Sequence, residues 1–247
     1  MGKVFCLVMV LLSGILAQAK LHRPSDWIPL VNGGESVSAE DPIRRSTVML
    51  ETDAQYCSAT IIGENLLLTA AHCLPESGTW MQIHFDGLEG SVTRDASRFV
   101  RHENYQDLQE TTRNDVALIF FGGGLPPGFE SVSIRTPEQG LSVGDQLQVA
   151  GYGGGSPQGA LAKISLTVSE LMTPQKLIKF TQSKAKGICH GDSGGPAYVT
   201  AQGRLLLTGV ASYVGDYDCS GYSVYTNATE FTSWISGKIV LFEQGLL

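Results

Sequence analysis

Short apolar runs, each closed off by turn-forming residues, constrain this chain more than any other feature. Thr47 to Leu50, Thr60 to Ile62, Leu66 to Ala70, Met81 to Phe85 and Val116 to Phe121 form a first series. Gln146 to Ala150, Leu161 to Val168, Ala197 to Val199, Leu205 to Ser212 and Ser223 to Thr226 form a second. Runs this short suit strands better than helices, which need about ten residues or more. The punctuation is largely glycine, 29 of 247 residues, or about 12% against a usual level near 7%. No three-residue period accompanies it, so a collagen-like chain is excluded, and many short strands with frequent turns point to a sandwich or barrels. Between the two series, the stretch from Gly122 to Gly128, with Pro126 and Pro127 inside it, interrupts any helix or central strand and marks a crossover between domains or barrels. One helix is expected at the C-terminus, where Asn227 can cap it and Phe231, Trp234, Ile235 and Ile239 recur at helical spacing. No internal repeat is visible.

Hydrophobic residues make up 43% of the chain and charged residues 17%, enough to bury a core and to exclude disorder. The formal charge is -7, with no block of lysines and arginines, so nucleic acid and anionic membrane are not expected partners. At the N-terminus, Lys3 precedes the apolar run Val4 to Leu16, and Ala17-Gln18-Ala19 supplies the small residues of a cleavage site. Residues 1–19 therefore read as a secretory signal, the apolar run being shorter than the about 20 residues a membrane span requires. Residues 20–29, with Pro24 and Pro29, read as a short extended leader, a propeptide. The mature protein is expected to be soluble and secreted, extracellular or periplasmic. Cys6 leaves with the signal, and Cys57, Cys73, Cys189 and Cys219 remain as an even set compatible with two disulfides in any of three pairings, or with buried thiols.

Three stretches carry chemistry. Gly191-Asp192-Ser193-Gly194-Gly195-Pro196 sets a serine among glycines, which leaves its hydroxyl clear of neighbours and the adjacent backbone N–H groups open, as a nucleophile beside an oxyanion site requires. A serine is a weak nucleophile at neutral pH and needs a base whose tautomer a third group holds. Thr69-Ala70-Ala71-His72-Cys73 offers a histidine directly after an apolar strand, and Asn114-Asp115-Val116-Ala117-Leu118 an aspartate at the mouth of another. The chain order is His, Asp, Ser, whereas α/β-hydrolases run Ser, Asp, His.

With these residues the chain resembles the chymotrypsin-type (trypsin-like) serine proteases: His72 in TAAHC, Asp115 in NDVAL and Ser193 in GDSGGP. The resemblance extends to Leu30-Val31-Asn32-Gly33, to Arg101 through Tyr105, to Gly151-Tyr152-Gly153 and to Val210 through Tyr213, covering roughly Leu30 to Ile235. It implies an all-β fold of two antiparallel six-stranded β-barrels with a C-terminal α-helix. Residues 30–134 would form the barrel carrying His72 and Asp115, and residues 135–247 the barrel carrying Ser193. It further implies Ser193 as nucleophile, His72 as general base and then acid, Asp115 as the orienting carboxylate supported by Ser212, and the N–H groups of Gly191 and Ser193 as the oxyanion hole. Cys57 would pair with Cys73, and Cys189 with Cys219.

The same resemblance places Gly187 on the floor of the primary specificity pocket, where an aspartate would select arginine and lysine. Val214 and Ser223 fall on its walls, with Ile188, Ser212 and Tyr213 also contacting substrate. The implied pocket is shallow and elastase-like, suited to small aliphatic residues. A loop insertion at Gly215-Asp216-Tyr217-Asp218 would shift Val214 off the wall and leave a chymotrypsin-like preference instead. Asp216 and Asp218 read as a solvated acidic loop, the other reading being a rim that attracts basic residues. Activation would free the α-amino group of Leu30 to pair with Asp192, although Pro29 before the bond is not a tryptic signal. The implied enzyme is a monomeric endopeptidase acting on proteins or peptides, with an activating protease and protein inhibitors as further partners. The alternatives are a catalytically inert protease-like binding protein and a secreted esterase, against which stand the complete triad and its chain order. No cofactor is implied, and His22, His84, His102 and His190 lack partners at ligand spacing, so no metal site is expected. Asn227-Ala228-Thr229 fits a glycosylation acceptor in a eukaryotic secretory route.

Overall fold

All ten apolar runs coincide with strands, with only Ala70, Val116 and Leu161 falling one residue outside, in a computed structural model that describes residues 31–75, 80–87, 90–108, 111–153 and 160–247. The signal, the leader and Leu30 lie outside the described residues. The first barrel comprises β1 (Thr47–Thr52), β2 (Tyr56–Gly63), β3 (Leu66–Thr69), β4 (Met81–Gly87), β5 (Gly90–Arg101) and β6 (Ala117–Phe121), closed in the order β1-β2-β3-β6-β5-β4. The second comprises β7 (Gln146–Gly151), β8 (Ala162–Met172), β9 (Leu177–Thr181), β10 (Pro196–Ala201), β11 (Arg204–Val214) and β12 (Tyr222–Asn227). Its ring runs β7-β8-β9-β12-β11-β10, the same cyclic order as the first. The barrels are thus a structural repeat that leaves no repeat in the sequence, because the order depends on strand pairing and tolerates any side chains that fill each interior.

Two of the twelve barrel strands had no counterpart among the expected runs. In β5 most side chains are exposed or half-buried, so the strand carries little apolar signal and is held by its ladders to β4 and β6. β9 is short and buried, paired on one edge to β8 and on the other to β12, and it closes the second barrel. The crossover after Phe121 sends Ser133–Ile134 alongside β11 in parallel before β7 begins at Gln146.

A one-turn helix, α1 (Pro42–Ser46), was not anticipated; Asp41 caps it by accepting from the Ile43 N–H at 2.9 Å. At the C-terminus Asn227 caps a 3-10 turn, Ala228–Phe231, and the helix α2 (Thr232–Glu243) starts only after it. The Asn227 side chain reaches Thr229 N at 3.3 Å, which ends β12 and forces a tight turn before helical geometry can begin. Phe231 and Ile235 are buried in the apolar cluster of the first barrel, with Trp234, Ile239 and Phe242 packed against it. Phe242 stacks on Phe120 with ring centroids 3.9 Å apart. A tail that follows the second barrel therefore clamps the first, each fully buried side chain contributing about 1.5–3 kcal/mol. Buried hydroxyls add to the seam, Tyr198 Oη meeting Ser46 Oγ at 3.0 Å and Thr47 Oγ1 at 3.1 Å. The structure joins Cys57 to Cys73 and Cys189 to Cys219.

Candidate active site

β3, buried along its length, runs into a single 3-10 turn, Ala71–Cys73, which presents His72 while the Cys57–Cys73 bridge ties that turn to β2. Just before β6, Asn114 adopts a left-handed conformation (φ 51°) that asparagine tolerates, and the turn delivers Asp115 to the same place. Asp115 is fully buried and accepts three hydrogen bonds: from the His72 backbone N–H at 3.0 Å, from His72 Nδ1 at 2.8 Å and from Ser212 Oγ at 2.5 Å. A carboxylate acceptor makes Nδ1 the protonated nitrogen, so Nε2 is left as the basic one. Burial works to lower the His72 pKa, but the charge and hydrogen bond of Asp115 outweigh it and hold the imidazole above its ordinary value. Ser212 reaches Asp115 because the β11–β12 ladder is irregular between Ala211 and Tyr213, a bulge that re-aims the serine.

Thr112 was not singled out from sequence. Its hydroxyl lies 2.7 Å from Ser212 Oγ, and because Ser212 gives its proton to Asp115, Thr112 must be the donor. Thr112→Val should therefore lower kcat for peptide cleavage by roughly fivefold, the worth of one neutral hydrogen bond. Thr112→Ser should keep most of the activity; steady-state kinetics on the two variants checks this, and equal losses would remove the hydroxyl from the account.

The serine loop is folded against the first barrel. Ser58 N donates to Ser193 O at 2.7 Å, and Ser58 Oγ bridges Gly191 O and the Tyr152 N–H. A side chain at Gly194 would come within 2.1 Å of Thr69 Oγ1, which is why glycine is required there. The N–H groups of Asp192, Gly194 and Gly195 all find backbone acceptors, whereas among the described residues those of Gly191 and Ser193 donate to none. An oxyanion hole requires two such donors, Ser193's own N–H and that of a residue close before it. Asp192 is fully buried, its two carboxylate oxygens taking the N–H groups of Gly153 and Cys189 at 2.9 Å each. Burial pushes its carboxyl up to about 7, against the pull of those two bonds.

Ser193 opens on a cavity of about 370 Å³ and His72 on one of about 560 Å³, and Ser212, Tyr213 and Val214 line both. Ser193 and His72 thus line adjoining cavities that share one wall, without a direct Ser193–His72 hydrogen bond among the described residues. Catalytic hydrogen bonds commonly tighten only when substrate binds.

The smaller cavity is also lined by Ile188, Cys189, His190, Ala211, Asp216 and Tyr217. Val214 stands opposite Ser223 in the β11–β12 ladder, so the following loop leaves it on the wall. Ser223 is fully buried. The place a side chain on Gly187 would take is filled by Gln182, whose carboxamide would lie 2.5 Å from such a Cβ. Gln182 was missed in sequence because glutamine in a polar loop carries no signal. Its carboxamide donates to Ile188 O at 3.1 Å and Cys219 O at 2.9 Å and accepts from Ile188 N at 3.1 Å, joining the segments on either side of the Cys189–Cys219 bridge without a charge. Asp218 sits on the surface 3.8 Å from Lys184, whereas Asp216 lines the cavity. The exposed His190 hydrogen-bonds Tyr217 O at 3.1 Å.

Two barrels of this order, with a serine loop and a histidine–aspartate pair facing one cleft, define the chymotrypsin-type serine endopeptidases. Comparison with known proteins agrees: the family model described as Trypsin matches residues 31–235, and the chain belongs to that family. Relatives include "Trypsin Blo t 3" of Blomia tropicalis, 28% identical over 95% of this chain and 97% of its own length. "Serine protease SP24D" of Anopheles gambiae is 30% identical over 82% of this chain and 79% of its own, and "Trypsin-1" of Astacus astacus 28% identical over 85% and 100%.

Proposed function

We propose that this serine endopeptidase is secreted and cleaves after small aliphatic residues, with Ser193, His72 and Asp115 as its catalytic groups. The observation that carries the assignment is the pair of unused N–H groups at Gly191 and Ser193 beside a cleft into which the Asp115-bound imidazole also opens. Ser193 Oγ attacks the scissile carbonyl as Nε2 of His72 takes its proton, and the resulting oxyanion falls to the two N–H groups. His72 then hands the proton to the leaving amine, and water repeats the sequence on the acyl-enzyme. Asp115 keeps the tautomer and stabilises the imidazolium. The general base must be neutral, so the acidic limb of kcat/KM should have its midpoint above histidine's ordinary 6.5, as a pH–rate profile would reveal.

Two features support the specificity. Val214 and buried Ile188 give the cavity apolar lining, and Gly187 with the neutral Gln182 packed against it offers no carboxylate for arginine or lysine. Two of the relatives are named trypsin, and Gly187 of this chain carries no carboxylate for a basic side chain. Val214→Gly should raise kcat/KM for leucine or phenylalanine before the scissile bond, relative to alanine, by roughly tenfold or more. Profiling a peptide library with both forms tests the reading, and dominant cleavage after arginine or lysine by the unaltered enzyme would sink it.

Activation follows from the cleft's buried acid. Cleavage of the Pro29–Leu30 bond by another protease frees an ammonium that pairs with Asp192, and Val31, fully buried in the second barrel's apolar cluster, supports an inserted N-terminus. The enzyme works outside the cytoplasm as a monomer open to protein inhibitors, with two disulfides suited to that compartment.

A further inference from the structure

Away from the cleft, a positive charge is buried beside the second barrel with no ion-pair partner among the described residues. Arg135 is 4% exposed; its guanidinium donates to Gly140 O at 2.6 Å and to Thr229 Oγ1 at 3.4 Å, and its Nε has no acceptor. Among the described residues no carboxylate comes within ion-pairing distance of it, nor of Lys176, whose ammonium stands 4.9 Å from the centre of the Phe231 ring. Arg135 and Lys176 are both among the residues lining one cavity of about 180 Å³, which shares no residue with either cavity of the cleft. Thr173, Asn227 and Thr229 add polar groups to it, and the exposed Glu230 stands in its lining. Burial works against the charge on Arg135, and only the longer-range fields of Asp145 and Glu230 favour it. A buried ion without a partner is among the costliest arrangements in a protein interior, and an anion in the cavity would remove the cost.

We propose that this cavity is a binding site for a small oxyanion of the sulfate or phosphate class, held between the Arg135 guanidinium and the Lys176 ammonium. The Asn227 amide oxygen is committed to Thr229 N, which leaves its NH2 group free to donate to the anion. Three 3-10 turns, Pro137–Gln139, Thr173–Gln175 and Ala228–Phe231, contribute to the lining. An anion here ties the crossover between the barrels to the turn that starts the C-terminal helix, so its effect is on stability and not on the chemistry of the cleft.

The test is thermal unfolding of the mature protein against millimolar sodium sulfate, sodium phosphate and glucose 6-sulfate, with ionic strength held constant by sodium chloride. A saturable rise in Tm is expected. Lys176→Gln should move its midpoint to about tenfold higher anion concentration, and Arg135→Leu should abolish it. Saturation by the free anions alone identifies an inorganic ion as occupant, and tighter saturation by glucose 6-sulfate identifies an ester group; either supports the site. A rise that never saturates and is the same in Lys176→Gln is general salt stabilisation and overturns the proposal, as does no rise at all. Where Arg135→Leu fails to fold, the half-buried Lys176 position decides by itself.

Discussion

Ser193→Ala is expected to lower kcat/KM for peptide hydrolysis by roughly a million-fold, with KM little changed, a size taken from enzymes that run the same chemistry through the same three groups. The cause is the loss of the step that sets all of His72's later proton transfers in motion. With no hydroxyl to deprotonate, its Nε2 has nothing to activate, and the tautomer that Asp115 maintains at 2.8 Å serves no purpose. His72→Ala added to Ser193→Ala should therefore cost little more, since the groups act as a unit. What survives is the contribution of binding and of the Gly191 and Ser193 N–H groups, which the alanine leaves in place, about a thousandfold over water. Casein and a short ester assayed side by side give the measurement. Casein cleavage that persists in the alanine variant would end the assignment of Ser193, and ester cleavage alone in the unaltered protein would point to an esterase.

The second large effect concerns Asp192. Its carboxyl is raised to about 7 in the fold against an ordinary 3.8, with burial as the dominant cause. A raised acid binds its proton more tightly folded than unfolded, so its share of stability is complete below 3.8 and disappears as the pH rises through about 7. For the leader-bearing chain this amounts to a loss of about 2.5 kcal/mol between pH 5 and pH 8. His72, also raised, adds a loss of the same sign, so the comparison that isolates Asp192 is with Asp192→Asn, whose stability should fall less by that amount. Freeing the Leu30 ammonium should cancel the difference by keeping the carboxylate ionised and paired. Urea denaturation of the three forms at the two pH values checks this. Equal pH dependence in the leader-bearing chain and the asparagine variant would show that Asp192 is already compensated by another group.

Much of the architecture was legible because strands report themselves through local patterns. Leu66 to Leu68 and Val116 to Phe121 are apolar without interruption, since they pair with each other inside a closed barrel. β5 escaped notice because its residues, from Gly90 to Arg101, mostly face water and its place depends on two neighbours' ladders. The site divides the same way. His72, Asp115 and Ser193 stand in recognisable surroundings, since glycines and strand ends are local requirements of their chemistry. Thr112 and Gln182 have no such surroundings; one matters only because a bulge brings Ser212 to it, and the other only because Gly187 leaves room for its carboxamide.

By itself, the order of residues determined where strands form, which side chains could do acid–base and nucleophilic work, and how many cysteines were available to pair. Only the tertiary structure decided that Asp115 meets His72 from 43 residues away and Ser212 from 97, that two N–H groups in the serine loop find no acceptor among the described residues, and that a glutamine joins Ile188 to Cys219. The division has a physical origin. Backbone propensity and periodicity act between near neighbours in the chain, whereas a hydrogen bond between distant segments depends on the register of two barrels, where a shift of one residue turns each side chain to the opposite face.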